Sequence, residues 1–269
     1  MSTIMAMRIL TRPLAIRSVF HLRYYSSFTH NTNNNPQKKL YDTHIPIPFQ
    51  QRALLAAGSA LTALFDPLRG DMVAALGETT GTTALKRMRD QMLQSESGRQ
   101  ILRERPVINT STIDFPKLRE ACQPGTFGHL YVSWLDAEGV TPDSREPVHF
   151  VDDEELAYVM QRYRQCHDFY HALTGLGVTV EEELALKWFE WAQTGLPMTA
   201  LSSIFGPIMR SSESRKRLFD VYVPWAVYTG KSSVSLISVY FEKHFYKNID
   251  ELRRELGIIT PPQIPHSLT

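Results

Sequence analysis

Cysteine is scarce in this chain of 269 residues: Cys122 and Cys166 are the only two, so a disulfide scaffold is excluded. Cys166 precedes His167, but small buried thiols are common in cores and it reads as one of them. No stretch approaches the roughly 18 to 20 consecutive apolar residues that a spanning helix requires, so the chain is not expected to cross a membrane. The net charge is only +1 and no basic stripe is interleaved with aromatics, which argues against nucleic acid as a partner. Strand-like alternation is scarce and internal repeats are absent. Acidic residues are missing altogether from the first 41 positions.

That acid-free segment has Arg8, Arg12, Arg17 and Arg23 among Ile9, Leu10, Leu14, Ile16, Val19, Phe20 and Leu22. Arginines interrupt what would be the apolar core of a secretory signal, so the composition is that of a mitochondrial transit peptide over 1–25, with processing near Ser26. Residues 26–45, rich in Asn, then form a disordered tether. With 43% hydrophobic content, residues 46–269 suffice for one domain with a sizeable core.

Helical periodicity dominates this domain, and the expected fold class is all-α, a single-domain multi-helix bundle. Helices are expected over Phe49–Phe65, Asp71–Leu76, Thr83–Leu93, Ser97–Arg105, Pro116–Cys122, Thr126–Leu135, Ser211–Val223, Val234–Tyr246 and Asp250–Leu256. Pro142 and Pro147 mark 139–149 as a loop. The Ala/Leu-rich segment Ala53–Phe65 suits a buried core helix better than an interfacial one. Arg215, Lys216 and Arg217 suit a solvated helix face, with anionic lipid headgroups as the alternative contact.

The densest chemistry lies at His167, Asp168 and His171, the pattern H-D-x-x-H, on a helix starting at Asp152 or Asp153 and running to Leu173. Histidines four apart differ by about 40° around a helix and can share one ion. Asp168, about 100° from His167, either reaches the ion or orients an imidazole. Gly175 and Gly177 mark a turn, and Thr179 with Glu182 makes a capping box that starts a second helix near Val180 and runs to Gln193. In that hairpin His171 and Glu183 lie equally far from Gly177, so Glu183, rather than Glu181 or Glu182, should face the histidines. The expected metal ligands are therefore His167, Asp168, His171 and Glu183, a set that suits Zn2+ and equally iron or manganese.

Several segments together resemble the mitochondrial coenzyme Q biosynthesis protein 4 family: Asp66-Pro67-Leu68-Arg69-Gly70-Asp71, Leu76-Gly77-Glu78-Thr79-Thr80-Gly81, Gly125-Thr126-Phe127-Gly128, Phe150 to Gln165, Gly195-Leu196-Pro197-Met198 and Pro224-Trp225-Ala226. The likeness covers nearly all of the chain after Pro46. That family's signature, H-D-x-x-H separated from Glu by eleven residues, fits His167, Asp168, His171 and Glu183. The resemblance implies a ubiquinone-biosynthesis protein, peripheral on the matrix face of the inner mitochondrial membrane, that helps organise a multi-subunit complex of other ubiquinone-biosynthesis enzymes. It further implies bound zinc and a decarboxylase (carbon–carbon lyase) that removes the C1 carboxylate of a polyprenylated 4-hydroxybenzoate, of the 4-hydroxy-3-methoxy-5-polyprenylbenzoate type, with or without oxygen. Association into a homo-oligomer is compatible with it. The polyprenyl tail would need an apolar channel, for which Phe49–Phe65 and Val180–Gln193 are candidates.

Two other classes compete. One is a non-catalytic, lipid-binding scaffold of that complex with a structural metal. The other is an His-Asp phosphohydrolase, which would need His149 and Asp220 as further ligands.

Overall fold

A computed structural model describes residues 38–65 and 69–262, apart from the side chain of Met209. The expected transit peptide 1–25, the tether as far as residue 37, and Asp66, Pro67 and Leu68 lie outside the described residues. Among the described residues twelve α-helices follow one another: α1 Phe49–Phe65, α2 Gly70–Thr80, α3 Thr82–Gln94, α4 Glu96–Glu104, α5 Phe115–Ala121, α6 Phe127–Glu138, α7 Glu154–Thr174, α8 Val180–Thr194, α9 Pro197–Phe205, α10 Ser212–Arg217, α11 Val223–Ser232 and α12 Ile249–Leu256. Among the described residues there is no β-strand, only an isolated bridge between Thr126 and Asn248, so the all-α expectation holds. None of these helices is long and apolar enough to cross a membrane.

Helix α7 is the spine. Asp153 caps it by accepting the Leu156 amide, and Gly175, at φ +78°, ends it in the left-handed conformation that glycine adopts without strain. Nearly every residue from Leu156 to Thr174 is buried, against α3 on one side and α6 on another. The aromatic rings of Phe127, Tyr131, Phe169, Phe241 and Phe245 cluster against it. Such a helix must satisfy its polar side chains internally. Arg162, with no exposed surface, pairs with Glu242. Arg164 donates to Glu78 of α2 at 2.7 Å, and the same carboxylate accepts the amides of His149 and Phe150 at 2.8 and 2.6 Å. Glu78 thereby fixes the loop that leads into α7.

Four features differ from the sequence expectation. The tether was expected to extend to residue 45, but the described chain is already packed there. His44 is buried and bonded to Asp152, and the Thr43 hydroxyl donates to the Val148 carbonyl. Helix α1, expected in the core, buries only Ser59. Its outward stripe of Leu54, Ala57, Leu61 and Phe65 carries no charge. Residues Val234–Tyr246 form two 3-10 turns, Leu236–Ser238 and Phe241–Lys243, instead of a helix. The reason is a long-range one: the carbonyls of Phe245 and Lys247 accept the first amides of α6, from Gly128 and Phe127, so this segment acts as a cap for α6. Finally, the helix expected over Ser211–Val223 does not end before Pro224. Pro224 sits in the first turn of α11, which continues directly from α10 through a π-helical turn at Leu218–Tyr222.

Candidate metal centre

Five residues, 175–179, join α7 to α8. The Thr179–Glu182 capping box is formed in both directions, with the Thr179 hydroxyl donating to Glu182 at 2.5 Å. Glu182 is thus committed to the turn. Glu181 turns the other way, accepting from Ser214 and Arg217 of α10 at 2.7 and 3.0 Å. Of these three glutamates only Glu183 faces α7. Its Oε1 lies 3.2 Å from His171 Nε2 and its Oε2 lies 3.7 Å from His167 Nε2.

The two Nε2 atoms are themselves 3.2 Å apart, and both rings are buried. Each ring has its other nitrogen engaged: His171 Nδ1 donates to the Leu176 carbonyl at 3.1 Å, and His167 Nδ1 to Glu190 Oε1 at 2.7 Å. With Nδ1 protonated, each Nε2 presents a lone pair to the same point, where a carboxylate oxygen also arrives. Lone pairs and anion crowded together require a cation. A proton on His167 answers part of that need. Burial and the nearby Lys187 ammonium both oppose a charge on His167, but the carboxylates of Glu190 and Glu183 outweigh them, and its pKa lies above the ordinary histidine value. Burial likewise works to raise the Glu183 carboxyl, but the two imidazoles beside it, once protonated, outweigh burial and hold it far below the usual carboxylate range.

A divalent ion answers the need more fully, and the donor set fits one. Ligand atoms about 2.0 to 2.1 Å from a tetrahedral ion stand about 3.3 Å from each other, close to the separations of His167 Nε2 from His171 Nε2 and of His171 Nε2 from Glu183 Oε1. Ligand atoms of His167, His171 and Glu183 all lie within 4.8 Å of one another. Asp168 is not in this group. Its Oδ1 accepts from Arg145, and its Oδ2, although buried, has no partner.

Glu190 was not anticipated. It is fully buried on α8, accepts from His167 and from Lys187 Nζ, each at 2.7 Å, and burial, which would raise its carboxyl, is outweighed by Lys187 and His167, which hold it at about 2. A carboxylate behind an imidazole fixes the tautomer and raises the basicity of the nitrogen that faces an ion. The spacing of Glu183, Lys187 and Glu190, four and seven residues along one helix face, was the available signal. Trp134 of α6 stacks on His171 at 4.7 Å between ring centroids. Beside it, Trp134 Nε1, Tyr131 Oη and Arg145 Nε are buried without partners, each costing about 1–3 kcal/mol if left unpaired.

The other expectations resolve simply. Cys166 is buried away from the cluster, and burial pushes its thiol up to about 12, the inert form. His149 is bonded to the Thr43 carbonyl and Asp220 pairs with Lys216, so neither of the ligands a phosphohydrolase needs reaches the cluster.

Fold and site define an all-helical protein with a buried two-histidine, one-carboxylate cluster held between consecutive helices. The sequence model described as Coenzyme Q (ubiquinone) biosynthesis protein Coq4 matches residues 41–262, and the chain belongs to that family. Relatives named as mitochondrial ubiquinone biosynthesis protein COQ4 include one from Laccaria bicolor, 54% identical over 87% of this chain and 79% of its own length. A COQ4 homolog from Bos taurus is 52% identical over 83% of this chain and 84% of its own. A crystal structure titled a putative ubiquinone biosynthesis protein, from Nostoc punctiforme, covers 78% of this chain and 99% of its own with TM-score 0.61 at 21% identity, a likeness of fold.

Proposed function

We propose that this protein acts in mitochondrial ubiquinone biosynthesis as a metal-dependent decarboxylase that removes the C1 carboxylate from a polyprenylated 4-hydroxybenzoate. The observation that carries the reading is the convergence of His167, His171 and Glu183 on one point, with Glu190 behind His167. These three would hold the ion, zinc as the family resemblance implies although iron or manganese suits the donors equally, and the free Oδ2 of Asp168 is the atom available to complete the set. A bound divalent ion supplies Lewis acidity toward the substrate's oxygens. The rest falls to substrate and chain. The para-hydroxyl enriches the ring carbon that bears the carboxylate; a proton adds to that carbon, the bond to the carboxylate breaks, its electron pair returns to the ring, and CO2 leaves. In an oxidative version dioxygen takes the place of the proton: one of its atoms bonds to that carbon as CO2 leaves, the ring is oxidised to the quinone, and the second atom departs as water. The chain's residues orient the ring and exclude water, as the burial of His167 and His171 and the stacked Trp134 would do.

The uncharged outward stripe of α1 supports peripheral attachment to the matrix face of the inner membrane and contact with partner enzymes. It equally suits the scaffold reading, so the two must be separated by experiment. Cells lacking the protein would be given His171→Ala, and carboxylated ring precursors and ubiquinone quantified by mass spectrometry. Accumulated carboxylated precursor with partner enzymes still assembled is expected. Normal ubiquinone from a metal-free variant would leave the scaffold.

A further inference from the structure

Around His171 and Asp168, apart from Oδ2 of Asp168, which faces no partner and is open to the ion, the buried polar atoms without partners are Nε of Arg145, the hydroxyl of Tyr131 and Nε1 of Trp134. Arg145 spends one hydrogen bond, from Nη2, on Asp168, while its Nε is buried and unbonded. Tyr131, with no exposed surface, has no partner for its hydroxyl, and the indole N–H of Trp134, three residues further along the same face of α6, has none either. All three are donors. Burial and then the charge of Asp168 push the Tyr131 phenol well above its usual pKa, with Arg145 working the other way, so the hydroxyl keeps its proton to donate. Arg145 retains about a third of its side-chain exposure, so a ligand can reach it. The ion pair that fixes Arg145 uses Asp168, about 60° round α7 from His171, which sets this donor group next to the metal cluster.

We propose that Arg145, Tyr131 and Trp134 form a subsite for the carboxylate of an aryl acid beside the His167–His171–Glu183 cluster, with Arg145 as its anchoring cation. A guanidinium held by a single bond to Asp168 has a planar edge left for a second carboxylate, and two neutral donors complete the oxyanion's coordination. An anion, and not a neutral carbonyl or a cation, is what three donors around a fixed positive charge select. Asp168 is the positioning residue: it orients Arg145 while its other oxygen stays available to the ion. This inference rests on the decarboxylation reading for its substrate class and makes Arg145 the residue that determines specificity for the acid.

The test uses the zinc-loaded full chain with 4-hydroxybenzoate and its neutral amide, 4-hydroxybenzamide, as probes, each titrated by ligand-observed NMR. The wild type should bind the acid at least about tenfold more tightly than the amide. Arg145→Gln should bring the two to within about twofold, and Arg145→Lys should retain part of the preference. Tyr131→Phe, which removes a single oxygen and leaves the packed ring, should weaken the acid severalfold and leave the amide unchanged, with zinc content unaltered. Equal binding of acid and amide by the wild type, including no binding of either, would overturn the proposal. So would a preference that survives in both Arg145→Gln and Tyr131→Phe. An Arg145-dependent preference without CO2 release keeps the subsite and refutes decarboxylation; CO2 release undiminished in Arg145→Gln does the reverse.

Discussion

Replacing Glu190 with Gln tests the centre without touching any proposed ligand. The carboxylate accepts from His167 Nδ1 and from Lys187, each at 2.7 Å, with no exposed surface of its own. A glutamine is nearly the same shape but has one acceptor and one donor end. If its oxygen stays on His167, the amide NH2 meets the Lys187 ammonium, donor against donor. If it flips, the NH2 faces Nδ1, and the imidazole must shift its proton to Nε2, removing the lone pair an ion needs. Either arrangement weakens metal binding. Loss of a partner behind a ligating histidine costs roughly 10 to 100-fold in metal affinity, about 1.4 to 2.7 kcal/mol. Competition against a fluorescent zinc chelator on the purified chain reads this directly, with Glu181→Gln as a control because Glu181 faces Arg217 and Ser214. The reasoning fails if Glu190→Gln binds zinc within about twofold of the wild type while folding normally.

The remaining expectations can be checked with standard preparations. Glu183→Ala should lose bound metal as completely as His171→Ala, whereas Glu182→Ala should retain it, since Glu182 is occupied by the capping box; elemental analysis of the purified variants decides this. Glu78→Ala leaves buried Arg164 and two amides unpaired, and should cost about 3–5 kcal/mol, a fall in Tm of about 10 °C by calorimetry. An unchanged Tm would show that the loop before α7 is held by something else. Carbonate extraction of mitochondria should release the protein into the soluble fraction, in keeping with the described helices, none of which is both long and apolar enough to span a bilayer; retention with integral proteins would contradict peripheral attachment.

The helical hairpin was legible in the sequence because its signals are local. The glycine stop at Gly175 and the Thr179–Glu182 box each act within a few residues, and together they fix the level at which Glu183 meets His171. Glu190 could have been read from its seven-residue spacing to Glu183 on one helix face. Trp134, Tyr131 and Arg145 could not, because they reach α7 from α6 and from the following loop through packing that no periodicity encodes. The segment 234–246 has apolar content enough for a helix, and what prevents one is a demand from elsewhere: its end caps the first turn of α6. Helix α1 carries apolar residues on its outer stripe as well as its inner one, so sequence alone could not say which side faces the core.

Release of labelled carbon dioxide is the most direct test of the central claim. Purified, zinc-loaded protein would be incubated with a prenylated 4-hydroxybenzoate carrying 13C in its carboxylate, with and without oxygen, beside the His171→Ala and Glu183→Ala variants. The account predicts 13CO2 from the wild type and none above background from either variant, although both remain folded. Equal release from all three, or none from a wild type that holds its full complement of metal and binds the acid, would contradict it.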